Sequence, residues 1–222
     1  MPDLNIALLI KKIAISFVPL MLGLVIHEYA HGWMAKRCGD DTASSLGRLT
    51  LNPLPHIDPM GMIFFILTSL SGPFVFGWAK PVPINPRRFH RLKWDFALVA
   101  AAGPVSNLLL ALLSACVLKG YLLFMPAQAW HTSSTWQFGM LSLYTSITVN
   151  CALAWFNLIP IPPLDGSKIL WTILPGHMGL RYLQLEHYGT LLILLLLLGP
   201  VSAVIAAPIR LTIHFLLNLF AL

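Results

Sequence analysis

A chain of 222 residues in which 57% are hydrophobic, 10% are charged and the mean hydropathy is +0.77 is excluded from the ordinary soluble domains and belongs in a bilayer. The net charge of +6 and pI near 9.5 raise nucleic acid as a partner, but the basic residues sit in loops beside apolar runs, so membrane topology accounts for them and no nucleic acid is expected. Cys38, Cys116 and Cys151 form no C-x-x-C pair, which argues against a disulfide scaffold and a thiolate metal cage.

In chain order, Lys11 and Lys12 before an apolar run imitate a secretory signal. No small-x-small cleavage site follows, and the run continues into HEYAHGW, which predicts a retained helix from about residue 6 to 35 with its hydrocarbon part from about 13 to 34. Residues 60–78, MGMIFFILTSLSGPFVFGW, are barely long enough to span and are broken by Ser71, Gly72 and Pro73. They read as a re-entrant element, tolerated in a membrane only where protein or a cavity covers the broken backbone. Residues 95–120, containing AAGPVSN, are a span whose small residues suit close packing. A fourth span covers about 138–158, and a C-terminal segment covers about 190–220, where Gly199, Pro200 and Pro208 predict one kinked helix or two short ones.

Two proline-rich connections, residues 47–59 and 79–94, read as extended or turning, with short strands expected at GRLTL and PVPIN. Residues 166–188 mix Trp171, Tyr182 and Tyr188 with Lys168 and Arg181, as an interfacial segment does. Lys36, Arg37, Arg48, Lys80, Arg87, Arg88, Arg91 and Lys93 flank residues 60–78, whereas residues 121–137 carry no lysine or arginine. The former connections are therefore expected on the cytoplasmic side, with Lys11 and Lys12 as two votes against. The expected fold is an all-α polytopic membrane protein of about five to six segments, one of them re-entrant, with short β elements in the loops. It forms a single membrane-embedded domain over 1–222 with a core of about 13–170.

Within the first helix, HEYAH places His27 and His31 one turn apart on one face, where two imidazoles can bind one zinc ion. Glu28 projects to one side, placed to take a proton from the attacking water. Among eight histidines and two glutamates, a fortuitous match is on the order of a few in a thousand. A charged carboxylate near the bilayer centre also costs at least ~2.5 kcal/mol, which demands a use for it. Catalytic zinc needs a third ligand and an open position. Asp165 in NLIPIPPLDGSK is the candidate, and its spacing fits a ligand or a helix cap equally well.

HEYAH, AAGPVSN and NLIPIPPLDG, in that order over roughly residues 20–170, resemble the site-2 protease family of intramembrane zinc metalloproteases. The resemblance implies one zinc per chain held by His27, His31 and Asp165, with Glu28 as general base. LNPLPHIDPMG and GWAKPVPIN resemble the small members that have little beyond the membrane core, without a PDZ domain. The implied reaction is hydrolysis of peptide bonds within or beside membrane segments, with membrane proteins or leftover signal peptides as substrates. A transporter or a non-proteolytic metal-binding membrane protein is the rival reading, but no second copy of any motif suggests paired repeats.

Asn107 and Asn157 are candidates for holding the substrate, with hydrogen bonding between helices as their alternative. The bacterial plasma membrane is the expected location, with the site toward the cytoplasm and the first and fourth spans parallel. Asn52, His56 and Asp58 are expected along a polar entrance, with His56 serving the loop or a metal ligand and not the metal itself. Extended backbone at 47–51 or 81–85 could pair with an unwound substrate.

Overall fold

The computed structural model describes residues 6–71, 77–126, 132–189, 192–193 and 202–222. Among the described residues, three helices are long and apolar enough to cross a membrane: α1 (Ile6–Arg37, apolar from Ile10), α4 (Leu92–Phe124) and α5 (Ser134–Asn157). Between α1 and α4 lie α2 (Thr42–Ser45) and α3 (Pro59–Ser71), and after α5 come α6 (Asp165–Ile173), α7 (Gly176–Gln184) and α8 (Ser202–Leu219).

Cross-helix contacts set the directions. His31 meets Val99 and His27 meets Asn107, so α4 runs antiparallel to α1; Asn107 meets Asn150 and Ser114 meets Ser146, so α5 runs antiparallel to α4. Hence α1 and α5 are parallel. Small side chains allow the close approach: Ala111 and Ala115 of α4 and Cys151 and Ala154 of α5 are fully enclosed. Leu216 of α8 completes this core, and Trp155 Nε1 donates to Thr212 Oγ1 at 2.9 Å. On the other side of α4, Leu98, Val105, Leu109 and Leu113 are exposed, as a lipid-facing stripe would be.

Helix α3, at 13 residues, reaches only about 20 Å. It descends along α1, with Phe65 against Phe17 at 5.5 Å and Lys12 Nζ donating to Ser69 O at 2.6 Å. At its upper end, Ile57 and Ala79 form an isolated antiparallel bridge and Lys80 N donates to His56 O at 2.8 Å. The chain therefore leaves and rejoins the same neighbourhood. Gly72 and Pro73, expected to break the stretch, lie outside the described residues, as do Gly199 and Pro200.

The strands expected at GRLTL and PVPIN do not form; the described residues hold no sheet there. Pro81 and Pro83 have no amide to give a ladder. The amides of Val82 and Asn85 donate instead to carboxylates, Glu28 Oε2 at 2.7 Å and Asp40 Oδ2 at 2.6 Å. Arg48 N and Leu49 N donate to Ala43 O. Carboxylates from α1 and the turn after it, and a backbone carbonyl of α2, have replaced a partner strand.

That turn is stapled to the second connection. Gly39 adopts φ 103°, and a Cβ there would stand 2.8 Å from Arg88 O. Asp40, fully enclosed, accepts from Thr42 N, Thr42 Oγ1 and Asn85 N. Burial pushes its carboxyl upward, but those hydrogen bonds and the nearby Arg88 charge outweigh it and hold the group below the usual carboxylate range.

Candidate metal centre

The centre lies near the C-terminal half of α1, where α4 and the start of α6 pack against it. His27 Nε2 and His31 Nε2 are 3.0 Å apart, and Asp165 Oδ2 stands 3.2 Å from the first and 3.0 Å from the second. All three residues are buried. The i, i+4 spacing aligned the imidazoles, whereas Asp165 arrives from 134 residues later in the chain.

Backbone carbonyls determine the hydrogen positions. His31 Nδ1 must donate to Val99 O, at 2.7 Å, because a carbonyl only accepts. Asn107 Nδ2 donates to Gly23 O at 3.1 Å and to Asn150 Oδ1 at 2.8 Å, which leaves Asn107 Oδ1 to accept from His27 Nδ1 at 2.6 Å. Asn150 is pinned in turn by Nδ2 donating to Ser146 O at 2.9 Å. In the neutral imidazoles both Nε2 atoms therefore present lone pairs. With Asp165 Oδ2 they make three potential ligand atoms converging on one point, a geometry that suits a bound cation.

The spacing fits zinc. Ligands about 2.0–2.1 Å from a tetrahedral ion stand about 3.3 Å from one another. A further feature keeps the place open: a Cβ on Gly103 of α4 would collide with His31 Nε2 and lie 2.6 Å from His27 Cε1. Asp165 is the first residue of α6, and its oxygens are engaged by the histidines and by Lys168 Nζ, at 2.9 Å from Oδ1. Spacing could not separate ligand from cap; the contacts the carboxylate makes are with the two histidines and Lys168. Gly166 has no room for a side chain, since a Cβ would collide with Leu158 O, and this close turn sets the carboxylate's approach.

Glu28 stands outside the three-residue cluster, partly buried, with Oε2 accepting from Val82 N. Asn107, expected as a substrate contact, is completely enclosed, and its amide is used up by His27, Gly23 and Asn150. Its position is that of a residue orienting His27. Asn157 turns its amide back to Leu153 O at 2.9 Å and makes no hydrogen bond to the cluster. His56 Nε2 donates to Thr50 O, Asn52 Oδ1 accepts from Leu54 N, and Asp58 Oδ1 accepts from Gly61 N, so all three shape their own loop. Gly103, Asn150, Val82 and Lys168 were not singled out from sequence for the site. A lone amide inside an apolar span, as at Asn150, is the signal that could have found one of them.

Asn107→Ala should weaken zinc binding by about 10–100-fold, because His27 loses the acceptor that fixes its orientation and tautomer. Competition with a chromophoric chelator measures this. An unchanged affinity would show that His27 is oriented by something else.

Comparison with known proteins places these residues in context. The profile described as Peptidase family M50 matches residues 15–200. "Putative zinc metalloprotease YwhC" of Bacillus subtilis (strain 168) is 36% identical over 192 residues, covering 86% of this chain and 83% of the relative. "Putative zinc metalloprotease Rip2" of Mycolicibacterium smegmatis is 29% identical over 187 residues, and its Mycobacterium tuberculosis H37Rv namesake 29% over 189; each match covers 81% of this chain and 65% of the relative. The chain thus spans about two thirds of the length of the mycobacterial proteins and most of the Bacillus one. No solved structure matches it.

Proposed function

The chain belongs to peptidase family M50, the site-2 protease family, and is a zinc-dependent membrane protease; from that premise we propose that it hydrolyses peptide bonds within or next to transmembrane segments, using His27, His31 and Asp165 to hold zinc and Glu28 as general base. The observation that carries this reading is the convergence of three potential ligand atoms at zinc-ligand spacing, with Glu28 next to the first of them in the chain. Zinc, when bound, supplies Lewis-acid activation of water and of the scissile carbonyl. Glu28 takes the proton from the attacking water and returns it to the leaving amine. The missing side chain at Gly103 lets α4 pack directly against the two imidazoles.

The side of α1 that carries Glu28 is the proposed side of access. Leu24 and Met21, one and two turns earlier on that face, line a small cleft with His56, Asp58 and Met62 on its other side. The Ile57–Ala79 bridge and the shortness of α3 support a re-entrant element that enters and leaves by one face. With α8 this makes five proposed membrane segments among the described residues, and a sixth before α8 would fall outside them. The basic residues around this element support a cytoplasmic placing of that face and of the site, in what we take to be a bacterial plasma membrane. Pairing of an unwound substrate with residues 81–85 is disfavoured, because Val82 N, Asn85 N and the Lys80 and Pro81 carbonyls are already engaged. Membrane-protein segments and leftover signal peptides are the substrate classes.

The test is cleavage of a single-span substrate by the purified protein in liposomes, with the cut located by mass spectrometry. Removing zinc with a chelator should stop the reaction, and adding zinc back should restore it. Cuts confined to soluble loops far from the span, or cleavage indifferent to the chelator, would overturn the reading.

A further inference from the structure

We propose that the backbone amide of Val82 is a positioning group for Glu28, held in place by a strap of chain fastened on every side. The proposal rests on the reading of Glu28 as the general base. It begins in the sequence: in Lys80-Pro81-Val82-Pro83, the two prolines have no N–H, so Val82 offers the one amide of the 81–83 run. That amide donates to Glu28 Oε2 at 2.7 Å, a charge-assisted hydrogen bond across 54 residues.

The donor is immobilised from several directions. Lys80 N donates to His56 O at 2.8 Å. Arg48 Nη2 donates to Lys80 O at 2.9 Å and to Pro81 O at 3.2 Å. Asn85 N donates to the enclosed Asp40 carboxylate at 2.6 Å. The Val82 side chain is buried against Gly32, where an added Cβ would stand 3.1 Å from Val82 Cγ1. Gly32 lies one turn beyond Glu28 on the same face of α1, so the strap rests on the stretch of helix that carries the base.

A free glutamate next to a metal ligand has two unproductive options. It can swing away among its rotamers, or turn inward and ligate the metal, closing the position that a catalytic zinc keeps open. Holding Oε2 on a fixed amide blocks both and leaves Oε1 as the oxygen that accepts the water's proton. The strap is built into the fold through Asp40 and Gly32 and is therefore a fixture of the site, not a segment waiting to be displaced by substrate.

The test replaces Val82 with its α-hydroxy-acid analogue, which exchanges the amide for an ester, removing the N–H and weakening the Pro81 carbonyl as an acceptor while every side chain stays in place. We expect kcat to fall by about 10–100-fold, the worth of one hydrogen bond to a charged group, with KM, bound zinc and Tm unchanged. The same ester exchange at Ile84 should leave kcat as it was and controls for the chemistry. An unchanged kcat in the Val82 ester would overturn the proposal, and so would a fall accompanied by loss of zinc or of Tm, which would mark the strap as structural only. Failure of the underlying reading is separately visible, because Glu28→Gln would then leave kcat intact whatever the ester does.

Discussion

Replacing Glu28 with glutamine should leave zinc bound at one per chain and lower kcat for membrane-substrate cleavage by about 10²–10⁴-fold, the usual worth of a positioned general base. The substitution keeps the side chain's length and an oxygen that can still accept from Val82 N, so the strap and the fold are preserved. It removes the capacity to accept a proton at pH 7, because an amide is not a base there. The zinc should stay because Glu28 is not one of the three converging residues. Metal analysis and single-turnover cleavage measure the two quantities independently. Full activity in this variant would remove Glu28 from the chemistry, and loss of zinc would instead make it a ligand.

Gly103→Ala should empty the site. A methyl group there collides with His31 Nε2 and lies 2.6 Å from both His27 Cε1 and His31 Cε1, where ordinary contacts are about 3.5–4 Å. Neither partner can step back easily. The imidazoles are tied to α4 itself, His31 through Val99 O and His27 through Asn107 Oδ1, so moving α4 away breaks the bonds that orient them. The expected result is at least about 100-fold weaker zinc binding and activity near background, as for loss of the groups that orient ligands. Gly120→Ala on the same helix is the control, since a Cβ there meets nothing within 4 Å, and it should retain both properties. Normal zinc content and turnover in Gly103→Ala would mean that the two histidines do not face α4 at this point.

Local periodicity was enough for much of this. The first helix was expected from about residue 6 to 35 and runs Ile6–Arg37, and the pairing of His27 with His31 follows from 3.6 residues per turn wherever such a helix sits. Hydropathy located the later spans but placed three of their four ends short, 95–120 against Leu92–Phe124 and 138–158 against Ser134–Asn157. A hydropathy run marks the hydrocarbon, whereas a helix continues until its backbone hydrogen bonds find another partner, as at the Ser133 cap of α5. The strands at GRLTL and PVPIN were misjudged for a related reason. Extended, proline-spaced chain shows where amides are scarce but not which acceptor the remaining ones find.

Composition and motif spacing by themselves determined that this is a membrane protein with a histidine pair and a glutamate on one apolar helix, because those properties depend on residues within a turn or a span of one another. Tertiary structure alone decided the rest. Asp165 could have capped α6, and only the packing of α1, α4 and α6 put its carboxylate 3.0 Å from His31. Asn107 could have faced a substrate, and only the antiparallel registers of α1, α4 and α5 enclosed it between His27 and Asn150. The neighbours of Gly103 and the acceptor of the Val82 amide are likewise set by chain segments 54 or more residues away, whose meeting is fixed by close packing of whole helices and not by any local rule.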